Sequence, residues 1–310
     1  MAWASSGTVT SGEASCVLPA RASLGECPLW SSSEQCLYWV DIDGQAIHRF
    51  DPSTGVDDVR ETQGRPGSIA LTETDGRLLV AIERRLAFLD WETGELRDWL
   101  ILEPRARGNR LNDGRCDPAG RFWVGSMFVP TNAGRTTGAL YRISGDGTAA
   151  TVRSQVGVAN GLAFSPDGRT MYFADTPRRT VWAYDYDVAT GEATNERVFL
   201  DFILLPGKPD GAAVDADGCY WVACVYGWAV ARVTPDGKLD RLVSLPVEKP
   251  TMPAFGGPGL STLFVTSIGG NGLTPTDPVQ PDAGGLFAID VDVPGLPEPA
   301  FAVDRDALAP

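Results

Sequence analysis

Short apolar runs recur along the chain at intervals of 40 to 50 residues. Most of them follow a polar turn such as Pro166-Asp167-Gly168, and the later part of each interval alternates apolar and polar residues up to a hairpin turn. A helical period is nowhere sustained. Six units of this length, with about four strands in each, predict an all-β chain folded as a six-bladed β-propeller. The six runs are Tyr38-Trp39-Val40, Leu78-Leu79-Val80, Phe122-Trp123-Val124, Tyr172-Phe173-Ala174, Tyr220-Trp221-Val222 and Leu263-Phe264-Val265.

The repeat runs from about residue 24 to residue 292 and leaves no linker, so we expect a single domain over residues 14–310. Residues 14–22 are apolar, and we expect them to supply a strand that joins the last blade and closes the ring. Residues 1–13 have neither the basic start nor the apolar stretch of a signal peptide. We therefore expect a disordered tail there and a cytoplasmic protein. No run approaches the roughly 20 apolar residues of a membrane span.

The net charge limits the class of binding partner, and the cysteine spacing indicates the redox state of the thiols. The formal net charge is −14, from 26 basic and 40 acidic residues, and no basic stripe is present. Nucleic acid is therefore not an expected partner, because phosphate contacts need clustered Lys or Arg. The six cysteines form no C-x-x-C pair, and we expect reduced, mostly buried thiols.

The histidine count argues against two classes of active site, because His48 is the only histidine in the chain. A Ser-His-Asp triad would have to include it, yet no nucleophile-elbow motif accompanies it. Zinc sites built from several histidines are excluded by count. Any hydrolysis by this protein would have to use carboxylates, amides and a metal ion.

Four oxygen-bearing residues recur at a similar place in four of the repeats. Glu26 and Asn160 lie 13 residues before the central aromatic residue of their run, and Asn112 and Asp210 lie 11 residues before it. Each begins the apolar segment that we predict to be the innermost strand of its blade. Because innermost strands line the central channel and enter it from the same end, the four side chains should converge there.

Two carboxylates and two carboxamides form an all-oxygen set suited to Ca²⁺, Mg²⁺ or Mn²⁺, and Fe²⁺ and Zn²⁺ are compatible with it. The other two repeats bring no charge to this position, around Pro66-Gly67 and Pro253. An alternative is that Asn and Asp before Gly simply form turns. Glu26 follows no turn rule, and four residues in one register favour a site.

The chain resembles the family of regucalcin (senescence marker protein), gluconolactonase and luciferin-regenerating enzyme over about residues 18–292. The resemblance implies a six-bladed propeller that binds one divalent cation in its channel and hydrolyses sugar lactones. The segments that carry it are LGECPLW, YWVDIDGQAIHRFDP, RLNDGRCDPAGRFWVGSM, ANGLAFSPDGRTMYFAD, PDGAAVDADGCYWVA and FGGPGLSTLFVTS.

Matched position by position, the resemblance implies Glu26, Asn160 and Asp210 as metal ligands. It places Asn112 beside the metal and Arg110 on the substrate oxygens. After Gly-Ser-Met some members carry an acidic substrate contact, whereas this chain has Phe128-Val129-Pro130. This departure leaves the sugar preference open, but it does not change the expected metal site.

A mechanism follows from electrostatics. One divalent cation (Ca²⁺, Mg²⁺, Mn²⁺, Zn²⁺ or Fe²⁺) would polarise the carbonyl of a small-molecule sugar lactone, and Asp210 is the candidate general base for the attacking water. Arg110 and Asn112 would hold ring hydroxyls and the developing oxyanion. The product would be the open aldonic acid. We expect a monomer, with Tyr226, Trp228 and Phe128 either rimming the site or serving the fold.

Two other functional classes stay open on the sequence. The first is a calcium-binding regulatory or protein-interaction propeller, because a fold alone does not fix a function. The second is a hydrolase that uses the same oxygen site on another ester or on a phosphotriester.

Overall fold

The computed structural model describes residues 13–106, 108–269 and 280–304. Apart from four single-turn 3₁₀ helices, Thr131–Ala133, Thr176–Arg178, Phe202–Leu204 and Pro258–Leu260, the regular structure of these residues is β. In chain order the strands are β1 (Ser15–Leu18), β2 (Gly25–Ser31), β3 (Cys36–Asp41), β4 (Ala46–Asp51), β5 (Val56–Glu61), β6 (Pro66–Leu71), β7 (Arg77–Ile82), β8 (Arg85–Asp90), β9 (Leu96–Ile101), β10 (Asn109–Cys116), β11 (Phe122–Phe128), β12 (Gly138–Ile143), β13 (Ala149–Val156), β14 (Ala159–Phe164), β15 (Thr170–Asp175), β16 (Thr180–Asp187), β17 (Glu192–Asp201), β18 (Lys208–Val214), β19 (Tyr220–Val225), β20 (Ala229–Val233), β21 (Leu239–Ser244), β22 (Pro250–Gly256), β23 (Thr262–Ser267) and β24 (Leu286–Asp290).

The strands form six four-stranded antiparallel sheets, which confirms the predicted six-bladed propeller. Blades one to five are β2–β5, β6–β9, β10–β13, β14–β17 and β18–β21, each in chain order from the axis outward. Blade six is β22, β23 and β24 with β1 on its outer edge, where Ser15 pairs with Ala288. The N-terminal strand therefore closes the last blade, as predicted. The expected tail over residues 1–13 lies outside the described residues except for residue 13.

Strands become more exposed from the axis outward. Each blade packs between two neighbouring blades, and its outermost strand also faces solvent. The two inner strands of every blade are almost wholly buried, whereas the outer strands β5, β9, β13 and β17 are largely exposed. Trp39, Trp123 and Trp221 of the second strands are at most 1% exposed and pack between neighbouring blades. Burying such large apolar side chains is the main favourable term in folding. The apolar runs recognised in the sequence are thus the interfaces between blades.

Residues 292–304 form a strap across the face of the propeller where the inner strands end. The strap leaves blade six beside β18, where the Ala216 N–H donates to the Pro294 carbonyl at 2.9 Å. It then reaches blade two, where the Phe301 N–H donates to Leu71 at 2.7 Å. Between these points Glu298 forms an ion pair with Arg115 at 3.3 Å. The strap therefore covers the end of the channel at which the inner strands finish.

Five of the six cysteines are buried and none is in a disulfide, in agreement with the expectation from the sequence. Within the described ranges, no helix is long and apolar enough to cross a membrane.

Candidate active site

A β-bulge near the start of each inner strand sets the direction of the site residues. Ladder pairing is interrupted at one place on each of the six inner strands. A bulge turns a side chain away from the regular alternation of the strand. The four residues predicted from the repeat lie at four of these interruptions: Glu26 and Asn160 immediately before the bulge, and Asn112 and Asp210 within it.

The bulges also explain the uneven spacing of 11 and 13 residues in the sequence. Each of the four residues lies 12 positions before the second-strand residue that resumes pairing beyond the bulge, namely Tyr38, Val124, Tyr172 and Val222. The aromatic residues used for counting are not equivalent, because Trp39 lies opposite its bulge, whereas Trp123 is paired beyond it with Arg115. The equal count combines two differences: Glu26 and Asn160 lie one position earlier relative to the bulge than Asn112 and Asp210, and the hairpins that follow them are one residue shorter.

A cavity of about 460 Å³ opens at this end of the channel and is lined by all five predicted site residues. Glu26, Arg110, Asn112, Asn160 and Asp210 are each no more than 8% exposed. The structure thus brings together, at one point, side chains from the inner strands of blades one, three, four and five. The remaining wall mixes apolar side chains such as Met127, Val158 and Val225 with the polar Asn132 and Lys208.

Of the three predicted rim residues, only Tyr226 lines the cavity. Trp228 lies in the same loop, between β19 and β20, but is not among the residues that line the cavity. Its backbone N–H donates to the Glu248 carbonyl. Phe128 stacks under the Arg135 guanidinium at 4.5 Å.

A chain of hydrogen bonds connects the polar residues across three blades. Arg110 Nη1 donates to Asn112 Oδ1 at 2.5 Å, and Asn112 Nδ2 donates to Asn160 Oδ1 at 3.0 Å. Asn160 Nδ2 then donates to the Thr176 hydroxyl at 2.8 Å, which in turn donates to the Pro209 carbonyl at 2.8 Å. Both ends of the Asn112 amide are occupied in this chain. The Asn160 oxygen accepts one bond within it and keeps a second lone pair.

The two carboxylates of the site are held in an environment that disfavours their charge. Burial, and then the negative charge of Asp113, raise the pKa of Glu26 well above its ordinary value. Burial, and then the charges of Glu26 and Asp113, likewise raise the pKa of Asp210. Arg110 opposes both shifts only weakly. The side chains thus form a buried acidic cluster whose charge a bound cation would compensate.

Arg110 is the one cation among the five. Burial, and then repulsion from Arg65, lower its pKa to about 10. The guanidinium therefore stays protonated at neutral pH and holds a positive charge within reach of Asn112 Oδ1.

Asp113 is a member of the cluster that the sequence analysis missed. It is 5% exposed and lies in the β10 bulge beside Asn112. Its Oδ2 accepts a hydrogen bond from Leu162 N at 3.0 Å, and its Oδ1 has no hydrogen-bond partner. Burial raises its pKa to about 6. The acidic residue that directly follows Asn112 in the sequence was the available signal.

Two further aspartates hold the loops that deliver the site residues. Asp41, at the end of β3, accepts hydrogen bonds from Ser23 N and Leu24 N, both at 2.9 Å, just before Glu26. Asp175, at the end of β15, accepts bonds from Gly157 N and Val158 N in the same way before Asn160. In the sequence, each of these aspartates ends an aromatic run: Asp41 in YWVD and Asp175 in YFAD.

The donor set fits a hard divalent cation. Carboxylate and amide oxygens are the ligands that Ca²⁺ and Mg²⁺ prefer. In the part of the chain that the structure describes, no three His, Cys, Asp or Glu side chains come together as a metal-binding group. A cation in this cavity would be held by Glu26 and Asp210 together with the amide oxygen of Asn160, which keeps a second lone pair.

Comparison with known proteins agrees with the fold and with the resemblance noted in the sequence. A family model described as the SMP-30/Gluconolactonase/LRE-like region matches residues 24–269. A 6-deoxy-6-sulfogluconolactonase from Pseudomonas putida is 40% identical, over 93% of this chain and 98% of its own length. A pentonolactonase from Haloferax volcanii is 37% identical, over 91% of this chain and 96% of its own.

Among solved structures, a calcium-binding protein named regucalcin, from Agrobacterium tumefaciens, superimposes with a TM-score of 0.87 at 29% identity. The match covers 93% of this chain and 97% of that one. The family model and the relatives both extend over most of the chain. The chain belongs to the SMP-30/gluconolactonase/LRE-like family.

Proposed function

We propose that this protein is a lactonase that hydrolyses a sugar lactone to the open aldonic acid with the help of one divalent cation. The observation that carries the proposal is the convergence of Glu26, Asn160 and Asp210 with Arg110 and Asn112 around one cavity. The enzyme class rests on the relatives, two of which are named as lactonases of sugar acids at 37% and 40% identity.

Glu26, Asn160 and Asp210 would hold the cation, and the buried charge of the two carboxylates supports this assignment. A buried carboxylate that lacks a cationic partner costs free energy unless it takes up a proton or binds a cation. The relative named as a calcium-binding regucalcin supports a divalent ion. When bound, the ion would supply Lewis-acid polarisation of the lactone carbonyl.

Asp210 would act as the general base that removes a proton from the attacking water. The carboxylate lines the cavity beside Glu26 and Asn160, so it would reach a water held next to the cation. Asp210 lies within the β18 bulge, so the backbone fixes its position.

Arg110 and Asn112 would bind the hydroxyl groups of the substrate and the oxyanion that forms during attack. The 2.5 Å bond between them locks the guanidinium and the carboxamide into one orientation. A donor fixed before the reaction needs no reorganisation as charge develops. Both N–H groups of Asn112 are donated to Ala159 and Asn160. The N–H groups of the pair that would face the oxyanion are therefore those of Arg110, and Asn112 Oδ1 keeps a lone pair for a substrate hydroxyl.

A titration of acid release tests the proposal. Gluconolactone, xylonolactone, arabinonolactone, an aryl ester and a phosphotriester would each be followed by pH-stat, with EDTA and after return of Ca²⁺, Mg²⁺, Mn²⁺ or Zn²⁺. We expect acid release from at least one lactone that EDTA abolishes and a cation restores. Absence of metal-dependent release from every lactone would rule the proposal out.

A second candidate function is calcium binding without hydrolysis, which the relative named as a calcium-binding protein favours. The same titration separates the two functions. Ca²⁺ binding measured by calorimetry together with no turnover of any substrate would support the second candidate. Turnover of the phosphotriester or aryl ester in preference to every lactone would instead assign the site to another hydrolase class.

A further inference from the structure

Thr176 lies between two of the three proposed cation ligands and lines the cavity. It is the first residue of the 3₁₀ turn Thr176–Arg178, which follows β15. Its Oγ1 accepts a hydrogen bond from Asn160 Nδ2 at 2.8 Å and donates one to the Pro209 carbonyl, also at 2.8 Å. Because Pro209 directly precedes Asp210, one hydroxyl connects the Asn160 side chain of blade four to the backbone beside Asp210 in blade five.

The direction of every hydrogen bond in this chain is fixed by its two ends. At one end the Arg110 guanidinium can only donate, and at the other end the Pro209 carbonyl can only accept. The Pro209 carbonyl therefore takes the Thr176 proton, and the Thr176 oxygen is left to accept from Asn160 Nδ2. Arg110 likewise donates to Asn112 Oδ1, so Asn112 presents its Nδ2 to Asn160 Oδ1. Each carboxamide is thus held in one orientation.

The same two ends decide which atom of the Asn160 carboxamide is left for a cation. Nδ2 is turned to Thr176 and Oδ1 to Asn112, and only the oxygen has a lone pair that a cation can use. Asn160 is only 3% exposed, so protein contacts rather than water set this orientation. Without the Thr176 hydroxyl, Asn160 Nδ2 would lose its partner, and one of the two constraints on the carboxamide would be gone.

Thr176 is itself held in place by the backbone. Its N–H donates to the Val158 carbonyl at 3.2 Å. The preceding residue, Asp175, accepts from Gly157 N at 3.0 Å and from Val158 N at 3.1 Å. The turn that carries the hydroxyl is therefore bonded to the segment that delivers Asn160.

We propose that Thr176 is a positioning residue that orients Asn160 for the cation. Its hydroxyl keeps Asn160 Oδ1 available as a ligand and joins that ligand to the strand that carries Asp210. The inference rests on the proposed function, because it concerns the cation of that site. Loss of a group that orients a metal ligand typically lowers metal affinity by about 10- to 100-fold.

Calorimetric titration of the metal-free protein with the chlorides of Ca²⁺, Mg²⁺, Mn²⁺ and Zn²⁺ tests the inference without any substrate. Thr176→Val keeps the shape of the side chain and removes its hydroxyl, so affinity for the tightest-binding cation should fall at least about tenfold. Thr176→Ser keeps the hydroxyl and should retain the parent affinity within a factor of about three, because the hydrogen bonds remain. Thr176→Ala also lacks the hydroxyl and should behave as Thr176→Val does, which provides a second variant if valine impairs folding.

Thr131→Val is the matched control. Thr131 lines the same cavity, but in the described part of the chain no hydrogen bond connects its hydroxyl to Asn160 or Asp210. The variant should bind the cation as the parent protein does. A loss as large as that of Thr176→Val would mean that any hydroxyl in the cavity has this effect, and it would contradict the inference.

The results separate this inference from the lactonase proposal. Unchanged cation affinity in Thr176→Val and Thr176→Ala, or an equal loss in Thr176→Ser, would overturn the role of the hydroxyl and leave the metal-dependent lactonase standing. Cation binding without hydrolysis of any lactone would refute the lactonase, and the affinity comparison would still decide the role of Thr176. A parent protein that binds none of the four cations would refute both.

Discussion

Two aspartates five residues apart, one in the bulge of β18 and one directly after its last residue, have contrasting surroundings. Asp215 is completely buried and fully bonded: it accepts from Arg232 Nε at 2.7 Å, from Trp221 Nε1 at 2.8 Å and from two backbone N–H groups. Asp210 is 7% exposed and lies among like charges, Glu26 and Asp113, that raise its pKa.

The contrast distinguishes a carboxylate that serves the fold from one that serves a ligand. The cost of burying Asp215 is offset within the protein by a cation and three N–H donors. The free-energy cost of burying Asp210 would be offset by a ligand from outside the chain, such as a cation. One strand thus has a candidate reactive carboxylate in its bulge and a structural carboxylate directly after its last residue.

Substitution of Asp210 by Asn should have the largest effect on activity. Removing both the proposed base and a metal-binding charge should lower kcat/KM for the best lactone by at least about a thousandfold, while the far-ultraviolet CD spectrum stays that of a β protein. Asp58→Asn, on an exposed outer strand, is the matched control and should keep full activity. Near-normal turnover by the Asp210→Asn variant would show that the contrast with Asp215 has no catalytic meaning.

Substitution of Asp215 by Asn should have the largest effect on stability. It removes the charge to which Arg232 Nε and Trp221 Nε1 donate. Arg232 keeps its ion pairs with Asp217 and Asp240, so the free energy of unfolding should fall by about 1–3 kcal/mol, measured by urea denaturation. Cation affinity of the folded fraction should match that of the parent protein. A loss of affinity without a loss of stability would reverse the roles assigned to the two aspartates.

Removal of the cation should lower the thermal midpoint of the parent protein but not that of Asp210→Asn. A ligand present at about 100 times its dissociation constant stabilises by about 2.7 kcal/mol. Differential scanning calorimetry with EDTA and with added Ca²⁺ measures the difference. Equal shifts in the parent and the variant would place the stabilising ion elsewhere in the molecule.

The stability of the metal-free protein should fall as pH rises from about 5 to about 8. Carboxyl groups whose folded pKa is raised stabilise the protein while protonated and lose that contribution as pH rises through the folded pKa. For Asp113 that value is about 6, and the pKa of Glu26 and of Asp210 is also raised. Glu26→Gln should flatten the slope, whereas exposed Glu92→Gln should not. A stability that increases over this range in EDTA would contradict the assigned shifts.

The fold and the members of the site could be predicted because each repeats. Six copies of one apolar pattern revealed the blades, and polar residues at one place in four copies revealed Glu26, Asn112, Asn160 and Asp210. Their convergence in one cavity is now a feature of the structure, whereas their roles remain proposals.

What the sequence did not predict depends on contacts that occur only once. Asp113 lies in the β10 bulge and is buried against the inner strand of blade four, where it accepts from Leu162 N. A two-residue alternation cannot anticipate where a bulge directs its second residue.

The strap over residues 292–304 crosses the end of the channel opposite the cavity, and the cavity mouth is the entrance to the proposed site. Substrate and product of the proposed reaction would have to pass the same mouth in turn, so release of the ring-opened acid must precede the next binding event. The ring-opened acid would occupy the same cavity as the lactone. Accumulating aldonate should therefore act as a competitive inhibitor, and progress curves should slow more than depletion of the lactone alone accounts for.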